Sequence, residues 1–248
     1  MRRRARTITP VLPAEVGELD GLAYSLWLPG RAAARGAVVI LHGAGSCKEN
    51  HHDFARAAIA TGLAAVAFDQ RGHGKSAGPM GARVLEDVAA MTELARSAAG
   101  AAARSVAGGA GVPVALRGSS MGGYLAILAA PLVDARAVIA ICPASADGLV
   151  RGLGADALHF EADRPALARF LGEHDLHGAV AELEVPLLLL HAEGDEQVPV
   201  EHSRELAALA RGPGSRLVAV PGGHHRSVQH DPELQALSLR FLARALAT

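Results

Sequence analysis

The chain has 248 residues, half of them hydrophobic, and a formal net charge of −1 at pH 7. That length suits one domain of the larger α/β kind, and that apolar content excludes global disorder. A near-neutral balance leaves no electrostatic case for nucleic acid or an anionic membrane surface, and no run approaches the roughly 18–20 apolar residues of a membrane span.

The N-terminus opens on Met1-Arg2-Arg3-Arg4, but Thr7, Thr9, Pro10, Pro13 and Glu15 interrupt the apolar stretch a signal peptide needs. Two cysteines, Cys47 and Cys142, make no disulfide framework and read as buried free thiols. The expectation is a soluble, cytoplasmic protein.

The first strand candidates are Thr7–Leu12 and Leu22–Leu28, an antiparallel pair at a sheet edge around the Asp20-Gly21 turn signal. Continuous apolar runs follow at Val38–Leu41, Ala64–Phe68, Val114–Leu116, Val138–Ile141, Leu187–Leu190 and Leu217–Val220. Continuity rather than alternation suits strands buried on both faces of a parallel sheet. Helix-like segments lie between them at Asp53–Thr61, Val84–Ala99, Gly122–Ala130, Val200–Ala210 and Pro232–Ala247. This alternation predicts a doubly wound α/β sheet of about eight strands, with helices on both faces. Gly100–Gly111 reads as a surface loop. Residues 144–184 hold no good strand but space Leu149, Leu153, Leu158, Phe160, Leu167, Phe170 and Leu171 in a helical manner. They read as a short helical cap or an elaborated crossover within a single domain spanning 1–248.

Gly118-Ser119-Ser120-Met121-Gly122 matches Gly-x-Ser-x-Gly. It follows a buried run and precedes a helix start of small residues, the strand–turn–helix setting of a nucleophile elbow. The turn is too tight for Cβ atoms on either side, which explains the glycines. Serine needs a base to remove its proton, and the base needs a carboxylate to hold it. The chain supplies both after later strands: Asp195 in Glu193-Gly194-Asp195-Glu196-Gln197-Val198-Pro199, then histidines in Pro221-Gly222-Gly223-His224-His225.

Taken together these segments resemble the α/β-hydrolase superfamily, in its serine esterase and serine aminopeptidase-like branch. Leu41-His42-Gly43-Ala44-Gly45 is similar to the oxyanion loop of that family. Asp69-Gln70-Arg71-Gly72-His73-Gly74-Lys75-Ser76 resembles its Asp-x-Arg-Gly-x-Gly-x-Ser turn. The resemblance runs from about residue 36 to 245 with the motifs in family order. It implies Ser120 as nucleophile, Asp195 as acid and His225 as base, with the backbone N–H groups of Ala44 and Met121 as the oxyanion hole.

Competing assignments are bland or adjacent. Ser119 reads as structural. Glu193 and Glu196 flank Asp195, but the Gly194-Asp195 and Val198-Pro199 frame favours Asp195. His224 stands beside His225, and the spacing after Pro221-Gly222 favours His225. His42 and His73 read as braces of their loops, Arg71 as a tie between loops, and His230 as a surface residue. His51 and His52 are adjacent and cannot easily share one ion. Neither Gly43-x-Gly45 nor Gly72-x-Gly74 completes a dinucleotide fingerprint.

The expected chemistry is acyl transfer to water with no metal or organic cofactor. The default substrate is a carboxylic ester of a small or medium acyl group, in an open pocket lined partly by Leu149, Leu153, Leu158 and Phe160. Thioester, amide or peptide cleavage by the same three residues is one alternative. A receptor-like binder with little turnover is another. The expected partner is a small molecule, with neither nucleic acid nor membrane involved.

Overall fold

A computed structural model describes residues 10–30, 34–103 and 111–247. Strand β1 (Glu15–Leu19) turns directly into β2 (Leu22–Trp27), pairing Leu19 with Leu22. The turn residues Asp20 and Gly21 have φ of 51° and 79°. Positive φ at both is what a two-residue hairpin turn demands. The first strand is therefore Glu15–Leu19 and not Thr7–Leu12. Residues 10–12 are not strand, and Thr7 to Thr9 lie outside the described residues. Pro10 and Pro13 have no N–H to give a ladder.

The remaining strands are β3 (Gly36–Leu41), β4 (Leu63–Phe68), β5 (Val114–Ser119), β6 (Ala137–Ile141), β7 (Leu187–Ala192) and β8 (Arg216–Val220). They form one eight-stranded sheet in the order β1-β2-β4-β3-β5-β6-β7-β8. β2 runs antiparallel to β4; from β4 to β8 all pairs are parallel. Successive side chains point to opposite faces, so each parallel strand feeds two cores. Val39, Leu41, Val66 and Leu116 join one cluster with Met91 and Leu125, from α2 (Val84–Ala103) and α3 (Met121–Ala129). Val38, Ile40, Ala65 and Ala115 join the other with Phe54 and Leu242, from α1 (His52–Ala60) and α9 (Pro232–Ala245).

Helix α2 runs on to Ala103, so the first part of the expected loop from Gly100 is helical. Alanine at 101, 102 and 103 favours continuation over a turn. Residues 104–110 lie outside the described residues. Between β6 and β7 the chain forms α4 (Ala146–Gly154), α5 (Arg164–Glu173) and α6 (Leu176–Glu182). Each starts on a side-chain cap: Ser145 accepts from Gly148 N–H, Asp163 from Ala166 N–H and Asp175 from His177 N–H. Pro165 in the first turn of α5 gives up only an N–H that had no partner. Helix α7 (Val200–Leu209) follows β7, and the four-residue α8 (Ser227–His230) precedes α9. Among the described residues no helix is long and apolar enough to cross a membrane.

Candidate active site

β5 ends at Ser119 and α3 starts at Met121, leaving Ser120 alone between them at φ 52° and ψ −119°. A non-glycine residue there costs of order 1–3 kcal/mol and persists only when its neighbours hold it. They do. Ser120 N–H donates to Ile141 O at 2.8 Å, and Ser120 O accepts from the N–H groups of Gly123, Tyr124 and Ala144. The flanking glycines are steric requirements. A Cβ on Gly118 would meet Gly122 O at 2.0 Å, and one on Gly122 would meet Leu41 O at 2.4 Å.

The loop after β3 is held beside this elbow by two neutral histidines. Buried His42 donates from Nδ1 to Gly43 O at 2.8 Å and accepts Gln70 N–H on Nε2 at 3.0 Å. Burial, then the nearby His73, lowers its pKa to about 4. His73 donates from Nδ1 to Arg71 O and accepts Gly45 N–H on Nε2 at 3.2 Å. Burial lowers its pKa too. Asp69, at the end of the neighbouring strand, takes Lys48 N–H at 2.7 Å, Lys48 Nζ at 2.6 Å and Lys75 N–H at 2.9 Å. Arg71 grips Asp87 of α2 with Nε and donates to Asp20 O and Ala77 O, tying its own loop to the β1–β2 turn and to α2. Among the described residues, neither the Ala44 nor the Met121 backbone N–H has a protein acceptor. One donor at the N-terminus of α3 and one in the turn after β3, both beside a serine, suit an incoming anionic oxygen.

The turn after β7 presents Asp195 to the turn after β8. His225 Nδ1 stands 2.7 Å from Asp195 Oδ2. The other oxygen accepts the N–H groups of Gln197 at 2.8 Å and Val198 at 2.9 Å. Burial alone would raise the Asp195 pKa. Hydrogen bonds from His191, His225 and the two backbone N–H groups outweigh it and hold the carboxyl well below the ordinary range. The flanking carboxylates are engaged elsewhere: Glu193 pairs with Arg204 at 2.9 Å, and Glu196 accepts the His225 backbone N–H. His224 is exposed and accepts Arg226 N–H on its ring. The paired imidazole is therefore that of His225.

Ser120 and His225 line one cleft of about 590 Å³, together with Ala44, Gln197, Arg226 and Gln229. No hydrogen bond joins the Ser120 hydroxyl to the His225 ring here. Such contacts are often long in unliganded sites and tighten with substrate. A second lobe of about 370 Å³ shares Ser120, Leu149, Leu158 and Gln197 with the first. Two of the four expected lining residues, Leu149 and Leu158, are thus in the cleft. Leu153 packs in the core, because its turn of α4 faces inward. Phe160 stacks on His73 at 4.3 Å and borders a pinched apolar cavity of only about 10 Å³ instead of the cleft.

Several supporting residues escaped sequence reading. His191, fully buried on β7, stands 3.3 Å from Asp195 Oδ2 and binds Ser203 Oγ and Val198 O. A polar residue ending an apolar run was its only sign. Arg117, buried on β5, lies over the Phe54 ring at 4.0 Å and donates to Gln229 O at 3.1 Å. Burial lowers its pKa to about 10. It ties the elbow strand to α8, which follows the His225 turn. His230 is held too, with Nδ1 3.0 Å from Asp53 Oδ2.

An eight-stranded, mostly parallel sheet with a serine on a strained strand-to-helix turn defines the α/β-hydrolase fold. Solved structures agree. The chain superimposes on Est1E from Butyrivibrio proteoclasticus with a TM-score of 0.71 at 20% identity, covering 95% of this chain and 100% of that one. A soluble variant of monoglyceride lipase from Saccharomyces cerevisiae gives 0.71 at 17% identity, covering 97% of each. The family model for serine aminopeptidase, S33, matches residues 32–161. A curated relative, the monoacylglycerol lipase of Mycolicibacterium smegmatis (strain ATCC 700084 / mc(2)155), is 30% identical over 253 residues, covering 86% of this chain and 88% of that protein. This chain belongs to the serine aminopeptidase S33 family of α/β hydrolases.

Proposed function

We propose that the chain is a serine hydrolase that cleaves carboxylic esters of small or medium acyl groups through an acyl-enzyme on Ser120. One observation carries this reading. A serine on a strained elbow shares a cleft with an imidazole whose far nitrogen is 2.7 Å from a buried carboxylate. In this reading His225 takes the Ser120 proton as the hydroxyl oxygen attacks the substrate carbonyl. The carbonyl becomes an oxyanion on the N–H groups of Ala44 and Met121. Asp195 holds the ring tautomer and stabilises the imidazolium. The imidazolium then protonates the departing alcohol. Water, deprotonated by the same ring, attacks the acyl-enzyme and releases the acid and Ser120.

Residues 1–248 are read as one domain, with 144–184 as a short cap or elaborated crossover. The cleft is open on both lobes, and the apolar space beneath it is pinched to about 10 Å³. That shape supports small or medium acyl groups. The curated relative is named a monoacylglycerol lipase, and a monoacylglycerol ester falls within this bond class. Two free cysteines suit the expected cytoplasmic location.

The test is steady-state hydrolysis of an ester series of increasing acyl length, extended to thioesters and aminoacyl amides. Ser120→Ala should lower kcat by about 10⁴–10⁶-fold while the protein stays folded. Turnover retained in that variant would overturn the assignment. Amide cleavage above ester cleavage would move the reading towards a peptidase.

A further inference from the structure

Two helices beside the cleft bring together a second set of chemically capable side chains. Helix α7 carries His202 and Glu205, three residues apart and so on one face. His177 comes from the first turn of α6. One ligating atom from each of the three lies within 4.8 Å of the other two.

The spacings are those of a tetrahedral transition-metal site. Ligands held about 2.1 Å from a tetrahedral ion stand about 3.4 Å apart, and two imidazoles on such an ion place their ring centres about 5.2 Å apart. His177 Nε2 is 3.5 Å from Glu205 Oε2, and the rings of His177 and His202 are edge-on with centroids 5.6 Å apart. As a direct ion pair the His177–Glu205 contact is long. His202 Nε2 is buried with no hydrogen-bond partner, so the protein leaves this nitrogen unsatisfied.

We propose that His177, His202 and Glu205 bind one Zn²⁺, with solvent as the fourth ligand. Two imidazoles and a carboxylate suit zinc and disfavour Mg²⁺ and Ca²⁺, which want oxygen ligands. The His177 and Glu205 side chains are 45% and 65% exposed, so the ion enters from solvent without unfolding. Bound there, it staples α6, in the segment between β6 and β7, to α7. His202 and Glu205 also line the cleft lobe that contains Ser120. Zinc therefore rigidifies one wall of that lobe without touching the elbow or the His225 turn.

The experiment is calorimetric titration of chelator-treated full-length protein with ZnCl₂, alongside thermal melting with Zn²⁺ or Mg²⁺. One equivalent of zinc and a rise in Tm with Zn²⁺ but not Mg²⁺ are expected. Loss of an outer partner of a metal site costs 10–100-fold in affinity, so loss of a direct ligand should cost at least about tenfold. His177→Ala and Glu205→Gln, both at exposed positions, should each show that loss and keep the wild-type melt in chelator. His202→Ala should behave alike. Absence of stoichiometric uptake overturns the proposal. So does unchanged affinity in His177→Ala and Glu205→Gln, which would place the ion elsewhere, as at Cys142, His191 and Asp195 or at His225. The readout is metal uptake, so its failure leaves the Ser120 reading untouched.

Discussion

Two imidazoles, those of His191 and His225, and two backbone N–H groups converge on the carboxylate of Asp195. Gly222 and Gly223, with φ of 66° and 75°, turn the chain so that His225 reaches the carboxylate and His224 is left in solvent. His225→Ala should therefore lower kcat by about 10⁴-fold or more, while His224→Ala should stay within a few-fold of wild type. Kinetics of the two variants on one short-chain ester would check this, and a reversed order would exchange the roles. Spacing after Pro221-Gly222 favoured the ring that pairs with Asp195 in the structure. Separating neighbours in a loop required the backbone angles. His191 was not legible, because it ends an apolar strand and meets Asp195 only through the intervening turn.

At the scale of elements, continuous apolar runs made the parallel strands readable, since a strand buried on both faces has no polar alternation to lose. The edge strand β1 was misplaced for the converse reason: Glu15-Val16-Gly17-Glu18-Leu19 is half exposed and carries no apolar run. Helix α8 has only four residues, too few for a periodic signal, yet it follows the His225 turn and is tied to β5 through Arg117. On the proposed reading, helix α4 and the segment after it set the acyl length. Leu149 and Leu158 stand between the cleft and the pinched cavity. Leu149→Ala and Leu158→Ala should each open that space and move the preferred acyl chain towards greater length. Truncating buried Leu149 should also cost about 2–5 kcal/mol of stability. A chain-length profile and a urea melt would check both effects. An unchanged profile would mean that the acyl group lies elsewhere.

Across the whole molecule, several histidines are buried neutral, which couples stability to pH. Burial holds His42 at about 4, His51 well below its ordinary value and His73 lower than usual. The unfolded chain takes up these protons near pH 6.5, before the folded chain does. Their contribution is therefore complete above that pH and is lost as pH falls towards 4, by roughly 3 kcal/mol for His42 alone. Asp195 has the opposite chemistry but the same acid sensitivity. Its depressed pKa gives stability present above about pH 4 and lost below it. Urea unfolding should show midpoints falling steadily from pH 7 to pH 4.5. A flat profile would mean that the buried rings are protonated or solvated.

These scales meet at one hydroxyl. The most direct test is intact-mass and peptide mapping after reaction with a fluorophosphonate. One adduct per chain is expected, on Ser120, lost in Ser120→Ala and strongly slowed in His225→Ala. An inert chain, or an adduct on Ser119 or any other residue, would contradict the Ser120 assignment.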